Sequence, residues 1–125
     1  VYGAGAEAIT LINTVMGMVI DVEARRPRLG GGGGGVSGRS IHPVAVRAVW
    51  DCHAAFPDRP IIGVGGVSRG EDAVELLLAG AAAVQVGTAT FADPRAPVRV
   101  LRDLERWCRR HQVTSLSELI GAAHA

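Results

Sequence analysis

Three short apolar runs constrain this chain more than any other feature: Ala8-Ile9-Thr10-Leu11-Ile12, Ile61-Ile62-Gly63-Val64 and Ala83-Val84-Gln85-Val86. Each is brief, rich in β-branched residues and apolar on both faces, as strands buried inside a parallel sheet are. Helical patterns lie between and after them. From Ile41, apolar residues at Val44, Ala45, Ala48, Val49, Cys52, Ala55 and Phe56 recur at helical spacing until Pro57 and Pro60 stop the pattern. Ser68 and Glu71 have the S-x-x-E spacing of a capping box, which predicts a helix with Ala73, Val74, Leu77 and Leu78 inward and Gly80 as its left-handed cap. A third helix is expected from about Arg95 to His111, burying Val100, Leu101, Leu104, Trp107 and Cys108. Ser115 to Ala123 reads as a short terminal helix.

Strand–helix alternation with such short links means βα units and an α/β fold with parallel strands. A complete eight-stranded barrel takes about 250 residues, and this chain has 125. Three strands therefore form either a small open sheet or part of a barrel. An isolated half-barrel exposes two strand edges and a large apolar face, and is not expected to be stable alone.

Composition removes several function classes. The net charge is +1, which argues against a nucleic-acid binder. No apolar run reaches the roughly 18–20 residues of a membrane span. Val1-Tyr2-Gly3 does not begin a signal-peptide pattern, and two cysteines cannot build a disulfide framework, so a cytoplasmic setting is expected. All 13 basic residues are arginine, so any chemistry that needs an amine has to come from elsewhere. The arginines of the third helix are interleaved with Asp103 and Glu105, as on a solvated helix face.

In parallel α/β folds ligands bind where the strands end. The second strand ends in Gly63-Val64-Gly65-Gly66 and the third in Gly87-Thr88, one βα unit further on. Backbone N–H groups from two neighbouring glycine turns make an anion nest, and Thr88 adds a hydroxyl donor. Ala89 to Pro94 has the length of the extra turn that often completes a phosphate site in barrels. Asn13, at the first tip, offers a donor and an acceptor suited to an amide or imide.

The loop from Asn13 to Ser40 has no clear element and holds the glycine run Gly30 to Gly35, whose Gly30–Gly34 portion reads as a flexible linker. No histidine has metal-ligand spacing with a carboxylate, so no metal is expected. Cys52 and Cys108 sit on apolar helix stripes, Asp21 and Glu23 lack a partner group, and no catalytic residue can be named.

Several motifs in order resemble dihydroorotate dehydrogenase. They are Thr10-Leu11-Ile12-Asn13-Thr14 with Gly17-Met18, Gly34-Gly35-Val36-Ser37-Gly38, His42-Pro43-Val44-Ala45, Pro60-Ile61-Ile62-Gly63-Val64-Gly65-Gly66 and Ala83-Val84-Gln85-Val86-Gly87-Thr88-Ala89. The T-L-I-N-T form is similar to the class 1B catalytic subunit, and the likeness runs through essentially the whole chain.

The resemblance implies a (β/α)8 TIM barrel that binds FMN and oxidises dihydroorotate to orotate in pyrimidine biosynthesis. By motif, Ile12 and Gly38 would lie against the flavin. Gly65, Gly66, Gly87 and Thr88 would hold its phosphate, and Asn13 and Thr14 would bind the pyrimidine. It also implies an iron–sulfur and FAD electron-transfer subunit linking to NAD, and a homodimer core. In the family a cysteine base takes the C5 proton while the C6 hydride passes to flavin N5. That cysteine and the flavin-contacting lysines lie on earlier strands, and Cys52 and Cys108 do not match the catalytic position. The chain thus resembles the C-terminal three βα units of a single FMN-binding domain, residues 1–125, with the first strands absent. Alone it is expected neither to turn over dihydroorotate nor to hold FMN tightly. Two other readings stay open: a phosphate-binding barrel isomerase or lyase, and a non-catalytic barrel fragment.

Overall fold

The computed structural model describes residues 1–125. In chain order it contains β1 (Ile9–Leu11), β2 (Val15–Gly17), β3 (Ile20–Asp21), β4 (Arg26–Pro27), β5 (Gly34–Val36), α1 (His42–Ala55), β6 (Ile61–Val64) and α2 (Gly70–Leu78). There follow β7 (Ala83–Gln85), α3 (Ala89–Ala92), α4 (Ala96–Arg110) and two short 3-10 turns, Leu116–Glu118 and Ala122–His124. No helix is long and apolar enough to cross a membrane.

The three strands expected from the sequence form one parallel sheet in the order β1-β6-β7. The register pairs Ile9 with Ile61 and Ile62 with Ala83, so all three strands end on the same side. β1 and β7 each have one strand neighbour, as the outer members of three consecutive barrel strands do. The fold is α/β, a three-unit portion of a (β/α)8 barrel.

Helices α1 and α2 pack against this sheet, and α4 packs on α2. Ala45 and Val49 of α1, Leu76 and Leu77 of α2, and Val100 and Leu104 of α4 close the core around Ile61. Gly63 lets the sheet approach: a β-carbon there would lie 3.0 Å from the Ala81 methyl and 3.3 Å from Leu76. Gly70 does the same between helices, because its β-carbon would overlap the backbone of Asp103 and Leu104. Gly80, at φ +116°, follows the end of α2 as expected.

Several local expectations need correction, and Leu101, expected on the buried stripe of α4, is 53% exposed. The start of α2 is not capped by the Ser68–Glu71 pair. Asp72 takes that role, accepting hydrogen bonds from the Ser68 amide at 2.8 Å, the Ser68 hydroxyl at 3.0 Å and the Arg69 amide at 2.9 Å. A carboxylate one residue later reaches both amides and stays buried, whereas Glu71 turns to solvent. The terminal helix is two separate 3-10 turns, the first with a true Ser115–Glu118 capping box.

The Asn13–Ser40 segment is not a loop but two antiparallel strand pairs, β2 with β5 enclosing the β3–β4 hairpin. Strands of two or three residues carry too few side chains to show a period of two. The glycine run divides accordingly. Gly30 and Gly31 face open space, whereas Gly34 pairs with Gly17, and a β-carbon on Gly35 would overlap Thr14.

Gly70→Ala is expected to destabilise the chain by roughly 1–3 kcal/mol, since a backbone-to-backbone approach cannot relax by a rotamer change. Urea denaturation checks this, and an unchanged midpoint would contradict the close packing of α2 on α4.

Candidate functional site at the strand tips

Beyond the ends of β1, β6 and β7 lies a cleft of about 530 Å³. Its wall is built from the strand tips, the segment leading into α1 and the first turns after β7. All eight residues singled out from the sequence line it: Ile12, Asn13 and Thr14 after β1, Gly38 before α1, Gly65 and Gly66 after β6, and Gly87 and Thr88 after β7.

The backbone there is short of partners. The amides of Gly65, Gly66, Gly87 and Thr88 donate to no group in the chain. Unpaired amides at a concave surface form a ready anion site. The Thr88 hydroxyl is also free, as it makes no capping bond to α3. Gly87 is informative for a different reason. Its φ is not positive, and a β-carbon would meet nothing within 4 Å, so nothing inside the chain requires glycine. The missing side chain leaves space in the cleft itself.

Gly65 and Gly66 are also held from behind. A β-carbon on Gly65 would lie 2.7 Å from the Ala45 methyl, and one on Gly66 would lie 2.9 Å from the Gly38 carbonyl. The buried His42 ring places Nδ1 2.8 Å from the Gly65 carbonyl and Nε2 3.2 Å from a Glu75 carboxylate oxygen. Sequence reasoning set His42 aside with the other histidines. Only the packing of α1 behind the β6 tip reveals its contact.

At the first tip, Asn13 Oδ1 accepts from the Thr14 amide at 2.7 Å and from the Thr14 hydroxyl at 3.4 Å. The Asn13 NH2 group and the remaining lone pairs of the Thr14 hydroxyl are then free, one donor beside one acceptor.

Four further polar residues line the cleft and were not singled out: Ser37, Arg39, Ser68 and Arg99. Arg99 was read as part of a solvated helix face. It lies in the first turn of α4, close enough to the cleft mouth to line it, and is tethered to Asp93 at 2.8 Å. Hydrogen bonds from the Arg95 backbone and side chain hold the Asp93 carboxyl below the usual carboxylate range, and the charges of Arg95 and Arg99 add to this. No carboxylate, imidazole or thiol lines the cleft, and Arg39 and Arg99 are the charged side chains that line it. Cys52 and Cys108 pack against the core instead. No group of three or more metal-ligating side chains occurs.

Asp72 fixes the turn that leaves the cleft toward α2. Burial alone would raise its pKa. The hydrogen bonds from Ser68 and Arg69, with the neighbouring His42, outweigh burial and hold it below the ordinary value. A depressed native pKa stabilises the fold above the unfolded value and is lost as pH falls through the native one. Asp72→Asn is therefore expected to cost about 1 kcal/mol at neutral pH and to flatten the acid limb of the stability profile. Thermal melts from neutral to strongly acidic pH read this, and parallel profiles for the two proteins would contradict it.

Comparison with known proteins adds a separate line of evidence. The dihydroorotate dehydrogenase family model matches residues 2–107. The catalytic subunit of dihydroorotate dehydrogenase B (NAD(+)) from Geobacter sp. (strain M21) is 53% identical over 119 residues, 95% of this chain and 39% of that protein. The subunit of the same name from Desulforudis audaxviator is 52% identical over 122 residues, 98% of this chain and 39% of its own length. A putative dihydroorotate dehydrogenase A (fumarate) from Solibacter usitatus is 48% identical over 118 residues, 94% of this chain and 38% of that protein. Among solved structures, DHODH from Eimeria tenella in complex with ferulenol matches with a TM-score of 0.80 and 26% identity, over 98% of this chain and 32% of that one. The chain thus spans well under half the length of the relatives it matches.

Proposed function

We propose, from the premise that the chain belongs to the dihydroorotate dehydrogenase family, that it forms the cofactor-phosphate side of an FMN-dependent enzyme oxidising dihydroorotate to orotate in pyrimidine biosynthesis. The observation that carries this reading is the set of four unpartnered amides, at Gly65, Gly66, Gly87 and Thr88, lining one cleft at neighbouring strand tips. Family membership supports it over an isomerase or lyase acting directly on a phosphorylated substrate.

The residues present fit FMN. Gly87 leaves room that a β-carbon would fill, and the phosphate would take the four amides and the Thr88 hydroxyl. Ile12 and Gly38 offer an apolar wall and a bare backbone against which a flat ring can lie. When bound, FMN supplies a hydride acceptor, chemistry that no side chain provides. Asn13 and Thr14 would bind the pyrimidine, the amide NH2 donating to a ring carbonyl and the threonine oxygen accepting from the adjacent imide N–H. Arg39 and Arg99 favour anionic ligands in the same cleft.

The cleft holds no group able to take the proton from C5. The proposal assigns that base to the part of the barrel that the longer relatives carry and this chain does not match. Residues 1–125 would then be one part of a single FMN-binding domain, with neither turnover nor tight FMN binding of their own. An iron–sulfur and FAD subunit delivering electrons to NAD is proposed as partner, on the strength of relatives named as NAD(+)-type catalytic subunits. A homodimer core is proposed as well, with exposed Met16, Met18, Val19 and Ile20 among the surfaces it could cover.

Gly87→Val separates binding from folding. A β-carbon there meets no protein atom within 4 Å, so the melting temperature is expected to hold while FMN affinity of the intact protein falls by at least tenfold. Anaerobic addition of dihydroorotate should bleach the flavin absorbance of the parent. Tight FMN binding by Gly87→Val, or a parent flavin that dihydroorotate leaves oxidised, would contradict the assignment.

A further inference from the structure

His42 makes two hydrogen bonds, and both partners are acceptors. The Gly65 carbonyl can only accept, so Nδ1 carries a hydrogen. The Glu75 carboxylate is an acceptor as well, so a hydrogen on Nε2 would satisfy the 3.2 Å contact. Both contacts are met together by an imidazolium. The His42 side chain is 11% exposed, while the Glu75 side chain is 58% exposed. The positive member of the pair therefore lies inside, against the strand tip, and the negative member lies toward solvent.

The Gly65 carbonyl shares its peptide with the Gly66 amide. In a trans peptide the C=O and N–H point in opposite directions. Anchoring the carbonyl on His42 aims the Gly66 N–H away from the core, on the side where Gly66 lines the cleft and the amide has no partner. The turn cannot rotate freely, because Gly66 sits at φ +69° with its vacant β-position 2.7 Å from His42 Cβ. Asp72 on α2, already engaged by Ser68 and Arg69, also lies within electrostatic reach of the ring.

We propose that His42, held as an imidazolium by Glu75, is a positioning residue that orients the Gly65–Gly66 peptide and lends positive charge to the anion cradle, so that Glu75, which lines no part of the cleft, sets how tightly a phosphate monoester is held. This rests on the phosphate-cradle reading and extends it to two side chains outside the cleft. An amide at position 75 can donate to a neutral ring at Nε2 while Nδ1–H still meets Gly65. Glu75→Gln thus removes the charge and keeps the orientation.

The test compares FMN with riboflavin, which lacks the phosphate, on the intact protein, and reads the His42 ring nitrogens by NMR. In the parent, both nitrogens carry hydrogens and FMN binds more tightly than riboflavin. In Glu75→Gln the ring is expected to be neutral and FMN affinity to fall roughly tenfold, the scale of one charge-assisted hydrogen bond. Riboflavin affinity and melting temperature should hold. Glu75→Asp, which keeps a carboxylate, should restore the imidazolium and part of the preference. A neutral ring in the parent, an unchanged preference in Glu75→Gln, or an equal loss of riboflavin binding overturns the inference alone. A parent without preference for FMN overturns the cofactor reading, and this inference with it.

Discussion

The structure depends on a property of parallel sheets: every strand ends on the same side, and the amides beyond the last ladder bond are left together without partners. Here β6 stops at Val64 and β7 at Gln85, and the amides of Gly65, Gly66, Gly87 and Thr88 find no acceptor in the chain. Buried amides without acceptors are costly, and at a surface cleft they remain tolerable only because water or an anion can reach them. The requirement for an external partner is thus built into the topology before any side chain is considered. Arg39 and Arg99 line the same cleft, so the side-chain charge has the sign that the backbone asks for.

What holds the tips in place is close packing behind them. Ile61 and Leu76 are fully buried, and Gly63 brings the sheet onto α2. Gly70 brings α2 onto α4, whose first turn contributes Arg99 to the cleft. Ala45 sits directly beneath Gly65 and His42 beneath Gly66. The same helices that build the core therefore fix the backbone geometry of the site. A substitution such as Gly70→Ala strains the packing first, whereas one such as Gly87→Val sets its β-carbon in open space at the cleft.

The large elements were legible because their periodicity is dense. The β-branched runs around Ile9, Ile61 and Val84, and the stripes through Val49, Leu77 and Leu104, all lie in elements close to those observed. The eight cleft residues were found by position, since strand tips in parallel folds are where ligands bind, and by resemblance to family motifs. What was missed has a common cause. The β2–β5 pair is held across glycines and the β3–β4 hairpin by two residues a side, which leaves no side-chain pattern to read. Asp72 displaced the Ser68–Glu71 cap because only the folded turn shows which carboxylate can reach both amides. His42 matters through a contact with Gly65 made across the fold, and no local spacing encodes that.

The central claim is that two glycine tips act as one anion site. Backbone amide NMR of the intact, flavin-free protein titrated with inorganic phosphate tests it most directly. The account predicts that the Gly65, Gly66, Gly87 and Thr88 amides shift together, with one dissociation constant, while amides at the far ends of β6 and β7 stay still. Shifts confined to one tip, or tips that titrate at different phosphate concentrations, would contradict it.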